Sequence, residues 1–223
     1  MSLEFYINEY YKLGKFKEFY EHVKNERICE HVDPVNEIVN YYLWLYRGSY
    51  MLEQLAQIRE KDDSKVEDQV EPKVYLDKLL NFAPKCEDYF KIIIYNEAFD
   101  HYQRIDDLVN AGKYLLLLEN IDSKSIKTLE NRAYFEYLNG RYKEAAKLYD
   151  ILSEKDEFKY MHKKLLCLVK SDFQNVAAVE SYINQKGTRD PKKKTFFPEI
   201  HELRAEIYRI TFDSAACWSS WTR

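Results

Sequence analysis

Glycine and proline are scarce: five of each in 223 residues, about 4% together against about 12% in an average chain. All-β sandwiches and barrels need frequent tight turns, and those turns need Gly, Pro and Asn. The five glycines, Gly14, Gly48, Gly112, Gly140 and Gly187, are nowhere closer than 28 residues. That spacing excludes GxGxxG and Walker-type phosphate loops and GxSxG elbows. Cysteine is sparse too. Cys29, Cys86, Cys167 and Cys217 form no CxxC pair, so a reducing, intracellular compartment is expected rather than a disulfide framework. No run approaches 18 uncharged apolar residues, so no membrane span is expected. The opening MSLEFYINEYYKLGK lacks the basic-then-apolar order of a secretory signal. What remains is an all-α reading.

What is present is aromatic and charged. Tyr numbers 20 and Phe 12, hydrophobic residues make up 46%, and the formal charge is −4. Residues 60–71, EKDDSKVEDQVE, hold six acids and two lysines. They read as an acidic insertion or loop whose net charge equals the excess of the whole chain. The balance elsewhere disfavours a dedicated nucleic-acid binder.

Apolar periodicity predicts helices over 3–13 and 16–30, broken at Gly14. Asp33-Pro34 starts another helix, with Val35, Ile38, Val39, Tyr42, Leu45 and Tyr46 at helical spacing. Gly48 is expected to turn the chain before Leu52. Pro72 opens a helix through Phe82, and Pro84 ends it. Residues 86–103 contain Ile92-Ile93-Ile94, but the flanking aromatics keep helical period. Segments 105–110 and 113–120 flank Gly112. Ser123 or Ser125 caps a helix through Leu138, and helices at 142–153, 156–170, 173–186 and 198–212 follow. The tail 213–223 departs from this pattern, holding Trp218 and Trp221 and little charge. If it is a boundary artefact, disorder is the expectation; if Trp218 and Trp221 dock into the last hairpin, it is a cap of the array.

One phrase recurs. Tyr11-Lys-Leu-Gly14-Lys-Phe16-Lys-Glu-Phe19 parallels Tyr137-Leu-Asn-Gly140-Arg-Tyr142-Lys-Glu-Ala145. A glycine ends the first helix and an aromatic two residues on covers the turn; in the second copy the small Ala145 lets the second helix approach, where the first copy has Phe19. Ala111-Gly112-Lys113-Tyr114 and Lys170-Ser171-Asp172-Phe173 are fainter echoes. The aromatics 114, 142 and 173 lie 28 and 31 residues apart, near the period of helical-hairpin repeats.

The stretch Leu129 to Leu152 resembles the tetratricopeptide repeat (TPR) family, with Ala133, Ala145 and Tyr149 on the family's small-small-aromatic positions. The usual closing proline is missing. Residues 1–212 are accordingly expected to form a single domain of antiparallel hairpins stacked as a right-handed TPR-like α-solenoid. The resemblance implies a non-enzymatic scaffold that binds helical or extended segments of other proteins along a groove lined by first helices. Carried onto this chain, the groove positions are Glu4, Asn8 and Lys12, then Lys127, Glu130, Tyr134 and Leu138. The repeat-defining positions are Gly14, Phe16, Ala133, Gly140, Tyr142, Ala145 and Tyr149. Glu4 and Glu130 stand where a carboxylate clamp needs Lys, which disfavours capture of a C-terminal carboxylate. The phrase Asn8–Phe19 and the order of the later helices also resemble the N-terminal part of the TPR scaffold subunits of the polymerase-associated factor complex. This implies a nuclear transcription-elongation assembly and a piece of a longer chain. TPR subunits of the signal recognition particle resemble residues 126–170 and are the alternative.

Chemistry-bearing clusters are few. The five histidines make no HExxH or HxxxH pair, and Cys29-x-His31 has no second pair nearby, so no metal and no cofactor are expected. Cys167 lies on an apolar face and reads as a buried structural thiol. Asp62/Asp63 and Asp106/Asp107 read as solvated surface. Lys192, Lys193 and Lys194 read as a basic signal or phosphate contact. A helical enzyme without a recognisable motif, and RNA association through 189–194, are the other classes of reading.

Overall fold

The computed structural model describes residues 34–58, 71–187 and 203–209, together with residues 17, 18 and 21. Among them the chain is helical with short turns and contains no strand. Helix α1 runs Pro34–Ile58, α2 Pro72–Phe82, α3 Asp88–Arg104 and α4 Leu108–Asp122. Then come α5 Ile126–Leu138, α6 Tyr142–Ser153, α7 Glu157–Ser171 and α8 Val176–Gly187. Residues 203–209 form a further helical segment, α9. Pro72 stands in the first turn of α2, where its missing N–H costs nothing. A 3-10 turn, Ala83–Lys85, follows α2 at Pro84. Side-chain caps start three later helices. Asp107 accepts from Asn110 N–H (3.0 Å), Ser125 from Thr128 N–H (3.1 Å) and Asp156 from Lys159 N–H (3.1 Å). Of the two serines expected to cap α5, Ser125 does so.

The chain divides into two compact units, Met1–Ile121 and Asp122–Arg223. In the first, α1 lies against α2, with Tyr42 stacked on Phe82 at 6.0 Å. Two long-range polar links tie α1 to α3. Arg47 Nε donates to Glu97 at 2.7 Å, and Arg104 donates to the Tyr46 hydroxyl at 2.8 Å. The core includes Val39, Leu43, Tyr46, Leu76, Leu79, Ile94, Phe99, Leu115 and Leu118. In the second unit α6 packs between α5 and α7 around Ala133, Ala145, Tyr149, Leu152, Tyr160 and Cys167. A second cluster joins α7, α8 and α9 through Leu165, Val169, Val179, Ile183, Leu203 and Ile207.

Burial recurs at an interval of 34 residues. Phe99, Ala133 and Cys167 are all buried, as are Ala111, Ala145 and Val179, and Leu115, Tyr149 and Ile183. The turns share the interval. Asp106 (φ 60°) and Gly140 (φ 72°) both sit in the left-handed region. Each is bracketed by the same pair of backbone bonds. Asp107 N–H reaches Tyr102 C=O (2.8 Å) and Asp106 N–H reaches Gln103 C=O (3.2 Å). In the second hairpin Arg141 N–H reaches Glu136 C=O (2.9 Å) and Gly140 N–H reaches Tyr137 C=O (3.0 Å). These are Schellman closures, which satisfy the last carbonyls of the first helix.

Two glycine readings are corrected. Gly48 does not turn the chain; it is buried in the middle of α1, next to Ser49, whose hydroxyl donates to Tyr46 C=O at 2.9 Å. Gly112 does not separate two segments either, since α4 runs unbroken through it. A helix-interior glycine costs about 1 kcal/mol, which packing on either side outweighs. The turn of this hairpin lies six residues earlier, at Asp106. Val176, not Phe173, begins the helix that corresponds to Tyr142; Phe173 belongs to a 3-10 turn, Phe173–Asn175. The expected helices 3–13 and 16–30, most of the 60–71 insertion, and the tail 213–223 lie outside the described residues.

Candidate functional site

The best-defined expected site is the stripe Lys127, Glu130, Tyr134 and Leu138 on α5. Capping fixes where this helix begins: Ser125 Oγ also donates to Thr128 Oγ1 at 2.8 Å, and Asp122 accepts from Ser125 N–H at 3.1 Å. Ala133 is buried in the cluster shared with α6, and Leu129 and Tyr137 pack against the same cluster, so the stripe lies to one side of that contact. Lys127 is exposed, and Glu130, Tyr134 and Leu138 are half-buried.

Part of the stripe is engaged by α7. The Tyr160 hydroxyl donates to Glu130 at 2.6 Å, and Lys159 Nζ lies 2.6 Å from the same carboxylate. Burial pushes the Glu130 carboxyl upward, but these hydrogen bonds outweigh it and hold the group below its ordinary value. Lys159 is raised in return, chiefly by its bond to Glu130. At the other end Lys170 Nζ donates to the Tyr137 hydroxyl at 2.7 Å and lies over the Tyr137 and Tyr142 rings, 4.9 and 5.7 Å from their centroids. Glu206 of α9 stands 3.6 Å from Lys170 Nζ. Tyr134 stacks on Tyr137 at 6.2 Å. Partners at 130/160 and 137/170 place α5 and α7 side by side, running the same way. The face is therefore a two-helix platform with a tyrosine ladder and fixed charges, not an isolated helix.

The repeat-defining residues of this hairpin hold the packing. Ala133, Ala145 and Tyr149 are buried, and Tyr142 meets Tyr137 edge-on at 5.5 Å. Sequence reasoning did not single out Glu136. It is buried on α5, bonded to Arg132 at 2.9 Å and to Arg141 across the turn. It also missed Lys159, Tyr160 and Lys170 as partners of this face, and only the packing of α7 beside α5 brings them there. Glu4, Asn8, Lys12, Gly14, Phe16, Lys192, Lys193, Lys194, Cys29 and His31 lie outside the described residues.

Little among the described residues suits bond-making chemistry. Cys167 is buried, and burial pushes its thiol up to about 12, so it stays protonated. Cys86 is buried and donates to Phe82 C=O at 3.2 Å. No group of three or more His, Cys, Asp or Glu is placed to hold a metal ion among the described residues. No helix among them is long and apolar enough to cross a membrane. His101 is buried in the first unit against Tyr46 and Tyr102. Burial, then Arg104 and Lys73, lower its pKa, and Asp77 opposes them.

Among the described residues the fold is all-helical, with consecutive helices packed on one another. No family model matches the chain, and no curated protein matches it.

Proposed function

We propose that the chain is a TPR-like array of hairpins, stacked as a right-handed α-solenoid, that works as a non-enzymatic protein-interaction scaffold. The observation that carries this reading is the 34-residue recurrence of buried positions and of the left-handed turn, the period of helix-turn-helix repeats. Parallel first helices α5 and α7 support a partner-binding face along Lys127, Tyr134 and Leu138, with tyrosines suited to binding hot spots. The narrower part of the proposal is membership of a nuclear transcription-elongation assembly, and it rests on the resemblance of Asn8–Phe19.

Affinity capture from the native source, with mass spectrometry of co-purifying proteins, tests the assignment. Elongation-complex subunits are expected. Tyr134→Glu with Leu138→Glu should reduce their capture at least tenfold while the helical circular-dichroism signal persists. Unchanged capture would remove the platform from the proposal. A radius of gyration near about 17 Å, the compact value for this length, would overturn the array.

A further inference from the structure

Helix α4 buries Ala111, Tyr114, Leu115 and Leu118 on one side. At 100° per residue the opposite side carries Val109, Lys113, Leu116 and Asn120, all exposed. Val109 is 84% exposed and Leu116 57%, and Ile105, in the turn before α4, is 57% exposed. The outward face of a two-sided helix is ordinarily polar. The next hairpin provides an internal comparison. Thirty-four residues on, the four outward positions are Lys143, Lys147, Asp150 and Glu154, and the counterpart of Ile105 is Asn139. All five are exposed. The hairpin therefore forms without apolar residues at these places, and the two exposed apolar residues on the outward face of α4, with Ile105 exposed in the turn before it, need another reason.

Val109 and Leu116 are two turns apart, about 10 Å along the axis, the i, i+7 spacing at which helices seat apolar anchors on one another. The flanking charges select the occupant. Lys113 lies between the anchors, Asp106 and Asp107 at one end, and Glu119 toward the other. A second copy docked antiparallel about the midpoint would set Lys113 beside its own copy and Asp106 against Glu119. Parallel docking would set every charge on itself. An anionic bilayer would meet the two aspartates. We propose that the outward face of α4 docks an amphipathic helix of a different protein. That helix carries apolar residues at i, i+4 and i+7, an acid opposite Lys113 and a base opposite Asp106 and Asp107.

The probes are two fluorescein-labelled 18-residue helical peptides with leucines at that spacing. One carries Glu between the leucines and Lys at the end, and the other has the charges exchanged. Anisotropy against the full chain should show tighter binding of the first. The double variant V109K/L116D carries the residues found at the equivalent places of the second hairpin, so its helical signal and melting midpoint should stay put. Its affinity should fall at least tenfold. K113E should reverse the preference between peptides. Equal binding by wild type and V109K/L116D, or no binding of either peptide, would overturn the proposal. A wild-type dimer in sedimentation that V109K/L116D dissolves would hand the face to a second copy. Flotation with phosphatidylserine vesicles that the same variant abolishes would hand it to a bilayer.

Discussion

Gly140 and Asp106 do the same job with different side chains, and the contrast is measurable. Gly140 sits at φ 72° with nothing within 4 Å of where a Cβ would stand. Gly140→Ala therefore meets no clash, and its cost is the left-handed backbone alone, about 1 kcal/mol. Asp106 already bears that strain at φ 60°. Asp106→Gly should relieve it and gain up to about 1 kcal/mol, tempered by the entropy of a freer unfolded chain. Urea titration of both variants checks the opposite signs. His101 gives a pH prediction. Its folded pKa is lowered, by burial first and then by Arg104 and Lys73. The unfolded chain therefore binds the proton more readily. Stability is present above about 6.5 and is lost as pH falls from there through the lowered folded value. His101→Phe keeps an aromatic contact for Tyr46 and removes the proton site. Its melting midpoint should vary less than wild type across that window; parallel curves would refute the role of His101.

At the scale of elements, α5 and α7 are joined by polar contacts at both ends rather than by apolar packing alone. Lys170 reaches the Tyr137 hydroxyl and lies over two rings. Tyr137→Phe deletes the hydrogen bond and keeps the ring, so the expected loss is about 1 kcal/mol. Chemical denaturation should report it, and a loss near zero would mean the cation–ring contact suffices. Glu136 is the sharper case. Its buried carboxylate joins Arg132 to Arg141 across the turn, and Glu136→Gln keeps the shape while removing the charge. That change should lower the melting midpoint more than Lys164→Gln, which removes only the Asp150 partner at an exposed site.

The whole molecule is uneven in charge. Met1–Ile121 holds 15 Lys+Arg against 23 Asp+Glu, and Asp122–Arg223 holds 19 against 15. The excess acid in the first unit opposes binding along a nucleic-acid backbone. At about 0.15 M salt, an RNA mobility-shift assay of the full chain should show no stable complex. A complex that weakens steeply with salt and disappears on replacing Lys192, Lys193 and Lys194 with Ala would overturn that expectation.

Helicity and the hairpin at 126–153 were legible in the amino-acid sequence because their signals are local. Ser125, Gly140 and the Ala133/Ala145/Tyr149 spacing each act within one or two turns, and the helix edges at Tyr142 and Ser153 fall where periodicity puts them. Even Ile92-Ile93-Ile94 took the state its neighbours implied, inside α3. The rest depended on tertiary structure. A glycine costs a helix only about 1 kcal/mol, so packing could keep Gly48 and Gly112 inside helices and leave the turn to Asp106, a residue that tolerates positive φ. Periodicity separates the two sides of α4 but does not say which side the protein covers. Only the packed structure shows that Ala111 and Leu115 face the core while Val109 and Leu116 face outward, because burial is a property of what lies opposite a residue.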